Sequence, residues 1–176
     1  MTNLDLRRRK PVLWLTMTAL FMGMEIVLST TALSIPVPGG HLYLNDMVIG
    51  TAALLMDPLA GFCVGGVGAF LGDLLSGYTE AMLTSLVSHG LQGIVIALLA
   101  RKLPGKKPLR YGAALAAGAV IMVVGYTLGR AYIYRTPEYA WLKLPFEFLQ
   151  AGVGAAIAWV LCVPLKLEAR FHSAIK

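Results

Sequence analysis

The sequence predicts an all-α integral membrane protein: one domain over residues 1–176, a six-transmembrane-helix bundle with both termini cytoplasmic. Three observations carry this expectation. Hydrophobic residues make up 57% of the chain and charged residues only 14%, whereas a soluble domain is about a quarter charged. Four apolar stretches are long enough to cross a bilayer, and the basic residues gather in three short segments. This composition excludes a freely soluble globule, a disordered chain and a disulfide scaffold. Cys63 and Cys162 lie far apart inside apolar runs. With no CxxC or His/Cys ligand spacing they read as core residues, and no metal or cofactor is expected.

A helix needs roughly 20 apolar residues to span a membrane, and residues 12–35, 81–100, 111–134 and 144–165 supply them. The first is no cleavable signal peptide, because its apolar region is too long and no small-residue cleavage site follows. Residues 47–75 are apolar but broken at Met56-Asp57-Pro58. Two full spans need about 40 residues, so this stretch is either one long span or two short, tilted or partly buried helices. Charge decides between them. Arg7, Arg8, Arg9 and Lys10, then Arg101, Lys102, Lys106, Lys107 and Arg110, then Lys166, Arg170 and Lys176 hold 12 of the 15 basic residues, and all belong on the cytoplasmic side. An even number of crossings must therefore separate the first two clusters, which calls for a hairpin turning at Asp57-Pro58. The net charge of +6 thus reflects membrane topology, not nucleic-acid binding.

Arg130, Arg135, Lys143, Asp46, Glu80, Glu138 and Glu147 then fall on the outer side, around loops 34–46, 76–80 and 135–141. The first loop, PVPGGHLYLND, is too rich in Pro and Gly for a helix, and serves as a connector or a lid. Small residues recur every fourth position at Ala19 and Gly23, at Gly61, Gly65 and Ala69 with Gly68 and Gly72 beside them, and at Gly125 and Gly129. In lipid such faces let helix backbones approach closely. The third and fifth helices are expected to use them internally. The pair in the first helix serves either internal packing or a partner protein.

Polar residues at membrane depth are costly and face a cavity or one another. Ser85, His89 and Gln92 share one face of the fourth helix; Tyr126 and Arg130 share one of the fifth, and Glu147 and Gln150 one of the sixth. Asp73 joins the same layer and Glu25 sits in the outer part of the first helix. All lie in the outer half, so they imply a pocket opening outward, walled by apolar groups with few polar contacts and with Tyr126 as a stacking surface. The alternative is a structural network in which Arg130 pairs Glu147. No GxxxxGK[ST], HExxH or GxSxG occurs. A membrane enzyme using Ser85, His89 or Asp73 is the rival reading, although Ser85 and His89 project in parallel from adjacent turns, which hinders a nucleophile–base approach.

Two segments carry a family resemblance: LYLNDMVIGTAALLMDPLAGFCVGGVGAFLGDLLSGY and TSLVSHGLQGIVIALLARK. With the six short helices and the Pro/Gly-rich first outer loop, they resemble the substrate-binding S components of energy-coupling factor (ECF) vitamin transporters. They are similar to the riboflavin and hydroxymethylpyrimidine/pyridoxine-type branch. His89 stands where many such relatives are expected to carry a lysine, so a titratable imidazole replaces a fixed cation. The resemblance implies a non-catalytic, multi-pass subunit of the bacterial plasma membrane that captures a small heteroaromatic vitamin or precursor from outside. Pyridoxine or hydroxymethylpyrimidine is favoured and riboflavin comes next. It implies docking through Ala19 and Gly23 to a transmembrane T subunit driven by two cytoplasmic ATPases. The residues expected to line the site are Asn45, Asp73, Ser85, His89, Gln92, Tyr126, Arg130, Glu147 and Gln150.

Overall fold

A computed structural model describes residues 3–30 and 33–174. The elements are α1 (Asn3–Arg9), α2 (Pro11–Leu28), β1 (Ile35–Val37), β2 (Gly40–Leu42), α3 (Asn45–Leu55), α4 (Pro58–Leu75), α5 (Met82–Lys102), α6 (Lys107–Tyr134), α7 (Pro137–Cys162) and α8 (Leu167–Ala174). Four helices begin with proline in the first turn, at Pro11, Pro58, Pro108 and Pro137, where its missing N–H leaves no hydrogen bond unmade. Asp57 caps α4 by accepting the Ala60 N–H at 2.9 Å. Thr136 accepts the Tyr139 N–H at 3.4 Å ahead of α7. Wide π-helical turns interrupt α4 at Cys63–Val67 and end α6 at Arg130–Tyr134.

Among the described residues, α2, α4, α5, α6 and α7 are long and apolar enough to cross a membrane. The chain does break at Met56-Asp57, but α3 has only 11 residues. At 1.5 Å per residue it is about 16 Å long, roughly half a hydrocarbon core. Ten of its residues are buried, so it is an inner helix sheathed by the others. The remaining boundaries shift for local reasons. The first span stops at Leu28, and residues 35–42 form an antiparallel ribbon pairing Ile35 with Leu42. Gly39 and Gly40 turn it at positive φ, so the all-α expectation gains a small hairpin. Residues 31 and 32 of that predicted span, and Lys176 of the third basic cluster, lie outside the described residues. The last span begins at Pro137, which turns most of the predicted loop 135–141 into helix, because the Thr136 cap precedes the apolar run.

Close backbone contact holds the centre together. A Cβ on Gly61 would come within 2.6 Å of the Gly93 carbonyl oxygen, and one on Gly93 would strike the Gly61 carbonyl. Thus α4 and α5 cross backbone to backbone, and Gly125 and Gly129 likewise admit Ser88 and Thr84 of α5 to α6. Leu54, Leu55, Met56, Ile96, Leu115 and Cys162 fill the core near the α3–α4 turn. At that same end Arg7 meets Asp57 at 3.5 Å and Tyr111 donates to Glu168 at 2.7 Å. By contrast, only 11% of α2 is buried. Ala19 and Gly23 are exposed on it, and a Cβ on Gly23 would meet nothing within 4 Å.

Candidate functional site

The polar side chains converge at the hairpin end of the bundle, around a carboxylate that begins α3. Asp46 is 2% exposed. Its Oδ1 accepts Gln92 Nε2 from α5 at 2.7 Å and its Oδ2 accepts Gln150 Nε2 from α7 at 2.8 Å. A Cβ at Gly154 would collide with the Asp46 side chain, so the glycine makes the notch that admits it. A carboxylate only accepts, which fixes both amides with their NH2 groups toward Asp46. Gln150 Oε1 is then free to accept the Tyr43 backbone N–H at 2.9 Å, and Gln92 Oε1 lies 2.7 Å from His89 Nδ1. Because that amide oxygen cannot donate, the proton on Nδ1 belongs to His89. Among the described residues, Nε2 makes no hydrogen bond to protein.

A second chain of hydrogen bonds runs from α6 to α4. The Tyr126 hydroxyl donates to Ser85 Oγ at 2.6 Å, and Ser85 donates to Asp73 Oδ2. Tyr126 lies edge-on to His89, with ring centroids 5.2 Å apart. The Arg130 guanidinium stands 5.3 Å from its centroid. One helical turn beyond Tyr126, Arg130 forms a 2.6 Å ion pair with the buried Glu147 of α7, as the structural alternative expected.

A fourth carboxyl group, Glu25 of α2, is fully buried. Its Oε1 accepts Ser29 Oγ at 2.7 Å and Asn45 Nδ2 at 3.1 Å. Among the described residues, neither its Oε2 nor the Asn45 Oδ1 has a hydrogen-bond partner. Gly68 of α4 makes room for it, since a Cβ there would strike Oε2.

The hairpin is fastened over this layer from α7. Lys143 Nζ donates to the His41 carbonyl at 2.5 Å and the Tyr139 hydroxyl to the Gly39 carbonyl at 2.6 Å. Arg135 and Glu80 pair at 2.6 Å between the α6–α7 and α4–α5 turns. Burial pushes the Tyr43 phenol above its ordinary pKa, so it remains a neutral donor.

These groups enclose a cavity of about 120 Å³, where one water needs only about 10–15 Å³ on the same measure. Asn45, Asp73, His89, Tyr126, Arg130, Glu147 and Gln150 line it. Ser85 and Gln92 do not; they stand one layer behind and orient Asp73, Tyr126 and His89. Sequence reasoning did not include Ser29, His41, Tyr43, Tyr134, Lys143 and the ribbon glycines in the site, and all of them line the cavity. It placed Asp46 in an outer loop, although a lone carboxylate opening an apolar helix was a readable signal of buried partners. Among the described residues, no group of three or more His, Cys, Asp or Glu side chains is placed to hold a metal.

A family model described as "ECF-type riboflavin transporter, S component" matches residues 11–167. An uncharacterized protein of Pyrococcus woesei is 32% identical over 143 residues, 80% of this chain and 94% of its own length. The thiamine precursor transporter HmpT of Lactococcus lactis subsp. cremoris (strain MG1363) is 34% identical over 98 residues, 54% of this chain and 58% of that protein.

Proposed function

The chain belongs to the family of ECF-type riboflavin transporter S components, and we propose that its hairpin-end cavity captures a small heteroaromatic vitamin or precursor from outside the cell. Membership makes it a non-enzymatic, substrate-binding transport subunit of the cell membrane. Hydroxymethylpyrimidine or pyridoxine is the favoured guest and riboflavin the next. The observation that carries the reading is the cavity itself, lined by Arg130, Lys143 and Glu147 from α6 and α7, by Asn45, Asp73 and His89 from α3 to α5, and by the Tyr126 ring. A flat polar ring stacks on Tyr126 and bonds at both edges, as in a site with apolar walls and a few placed polar groups.

In this reading both termini are cytoplasmic and the chain crosses the membrane six times, the α3–α4 pair together making the inward and outward passes. The three basic clusters then share one side, in accord with the positive-inside rule. The bare face of α2 around Ala19 and Gly23 docks on a T subunit, which two ATPases drive. Its exposure and the open space above Gly23 support this role, since small residues permit close helix approach in lipid.

The test is ligand-induced stabilisation of the purified chain in detergent. A true ligand raises the unfolding temperature in line with RT ln(1 + [L]/Kd), and mass spectrometry of the co-purified small molecule identifies it. No stabilisation by any of the three vitamins, with no co-purified guest, would reject the reading.

A further inference from the structure

We propose that the groove between α6 and α7 holds one acyl chain of an anionic phospholipid, with the headgroup at the start of α6. The inference stands apart from the vitamin cavity and uses none of its residues. The groove has a volume of about 480 Å³ and runs between two helices long and apolar enough to cross the membrane. Small residues open it: Gly112 and Ala116 line it from α6, and Gly152 and Ala156 from α7. A Cβ on Gly152 would meet nothing within 4 Å. The Trp159 indole N–H is the one polar side-chain group in the lining, and it is already bonded, donating to the Pro108 carbonyl at 2.9 Å. What the groove accommodates is therefore hydrocarbon.

Its length matches one leaflet. On α7 the lining runs from Phe148 to Trp159, about 16 Å at 1.5 Å per residue, and half of a hydrocarbon core is about 15 Å. The bond from Trp159 to Pro108 sets one end of the groove beside the basic start of α6. Lys107 there pairs with Glu168. Lys106 and Arg110 have no carboxylate partner among the described residues, and Arg110 Nε makes no hydrogen bond. No side chain caps α6, so its first N–H groups and the helix dipole also favour an anion. Charge complementarity thus names the occupant: a hydrocarbon groove that ends at unpaired cations fits a chain joined to a negative headgroup. A second copy of this chain fits less well. Inserted in the same orientation, it would set the same cations against each other.

The experiment titrates the purified full chain in detergent with phosphatidylglycerol and with phosphatidylcholine of the same acyl chains, and native mass spectrometry counts the bound lipid. Wild-type protein should hold phosphatidylglycerol about tenfold more tightly, because cations at the membrane surface favour an anionic headgroup. The advantage should shrink in high salt. Lys106→Gln combined with Arg110→Gln should bring the two lipids level without abolishing binding. Gly152→Leu combined with Ala156→Leu fills the groove from two exposed positions. It should release both lipids while circular dichroism stays unchanged. Equal affinity of wild-type protein for the two lipids would overturn the proposal, and that arm needs no variant. A preference left intact by the glutamine pair would overturn it, as would undiminished binding in the leucine pair. A wild-type dimer that the leucine pair breaks would assign the groove to a second copy and overturn it too.

Discussion

Asp46 and Gln150 bond at 2.8 Å across the bundle, joining the start of the short inner helix α3 to the middle of α7. Gln92 reaches the same carboxylate from α5, so one acid orders three helices and, through the two amides, both His89 and the backbone of Tyr43. Truncating Asp46 to alanine leaves two buried amides without acceptors. Each such loss costs about 1–3 kcal/mol, so the variant should lose about 3 kcal/mol or more in a reversible detergent unfolding titration. A loss below about 1 kcal/mol would mean the network is not fastened at this acid.

Arg130 and Glu147 supply the second prediction. Removing either alone strands a buried charge and should destabilise by about 3–5 kcal/mol. Replacing both with methionine should cost much less than the sum. Additive losses in a double-mutant cycle would show that the 2.6 Å pair is not coupled.

His89→Ala is expected to weaken ligand binding about tenfold or more while leaving the helical content unchanged, because the ring both faces the cavity and packs against Tyr126. Titration calorimetry reads the affinity and circular dichroism the fold. Unaltered affinity would take α5 out of the site.

Two glycines with similar sequence surroundings should respond in opposite ways. Gly93→Ala drives a methyl into the Gly61 backbone carbonyl, and should cost about 1–3 kcal/mol. Gly23→Ala meets open space and should change stability by less than about 0.5 kcal/mol. If thermal melts showed equal shifts, the α4–α5 crossing would be wrong.

Lys143→Met removes the bond to the His41 carbonyl and keeps most of the side-chain volume. Amides of residues 35–42 should exchange with deuterium about tenfold faster or more, since local opening follows the bonds that close a segment, while α5 amides stay protected. Unchanged hairpin protection would show that α7 does not fasten it.

Much of this organisation can be read in the residues. Composition and the basic clusters lead to a membrane bundle, and Met56-Asp57-Pro58 marks the break, because Asp before Pro is both a cap and a helix start. The polar layer is legible because an ionisable side chain among apolar ones stands out. What stays hidden is which polar groups meet. Ser85 and Gln92 share a helical face with His89, yet they sit behind the wall, since a face broad enough to hold three residues also touches neighbouring helices. Lys143 and Asp46 read as loop charges, although both are buried; hydropathy windows place a helix start at the first apolar run, whereas Thr136 and Leu44 start α7 and α3 among polar residues. The hairpin is not visible in so short a Pro/Gly-rich stretch, because its register comes from bonds to α7.

Two of the four acids in the polar layer lie opposite a residue with no side chain: Glu25 against Gly68, and Asp46 against Gly154. Each acid and its glycine must therefore change in concert over evolutionary time. A lineage that acquires alanine at 68 has to surrender the carboxyl at 25, and with it the bonds to Ser29 and Asn45. The placement of two side chains that line the cavity would then depend on a glycine outside it.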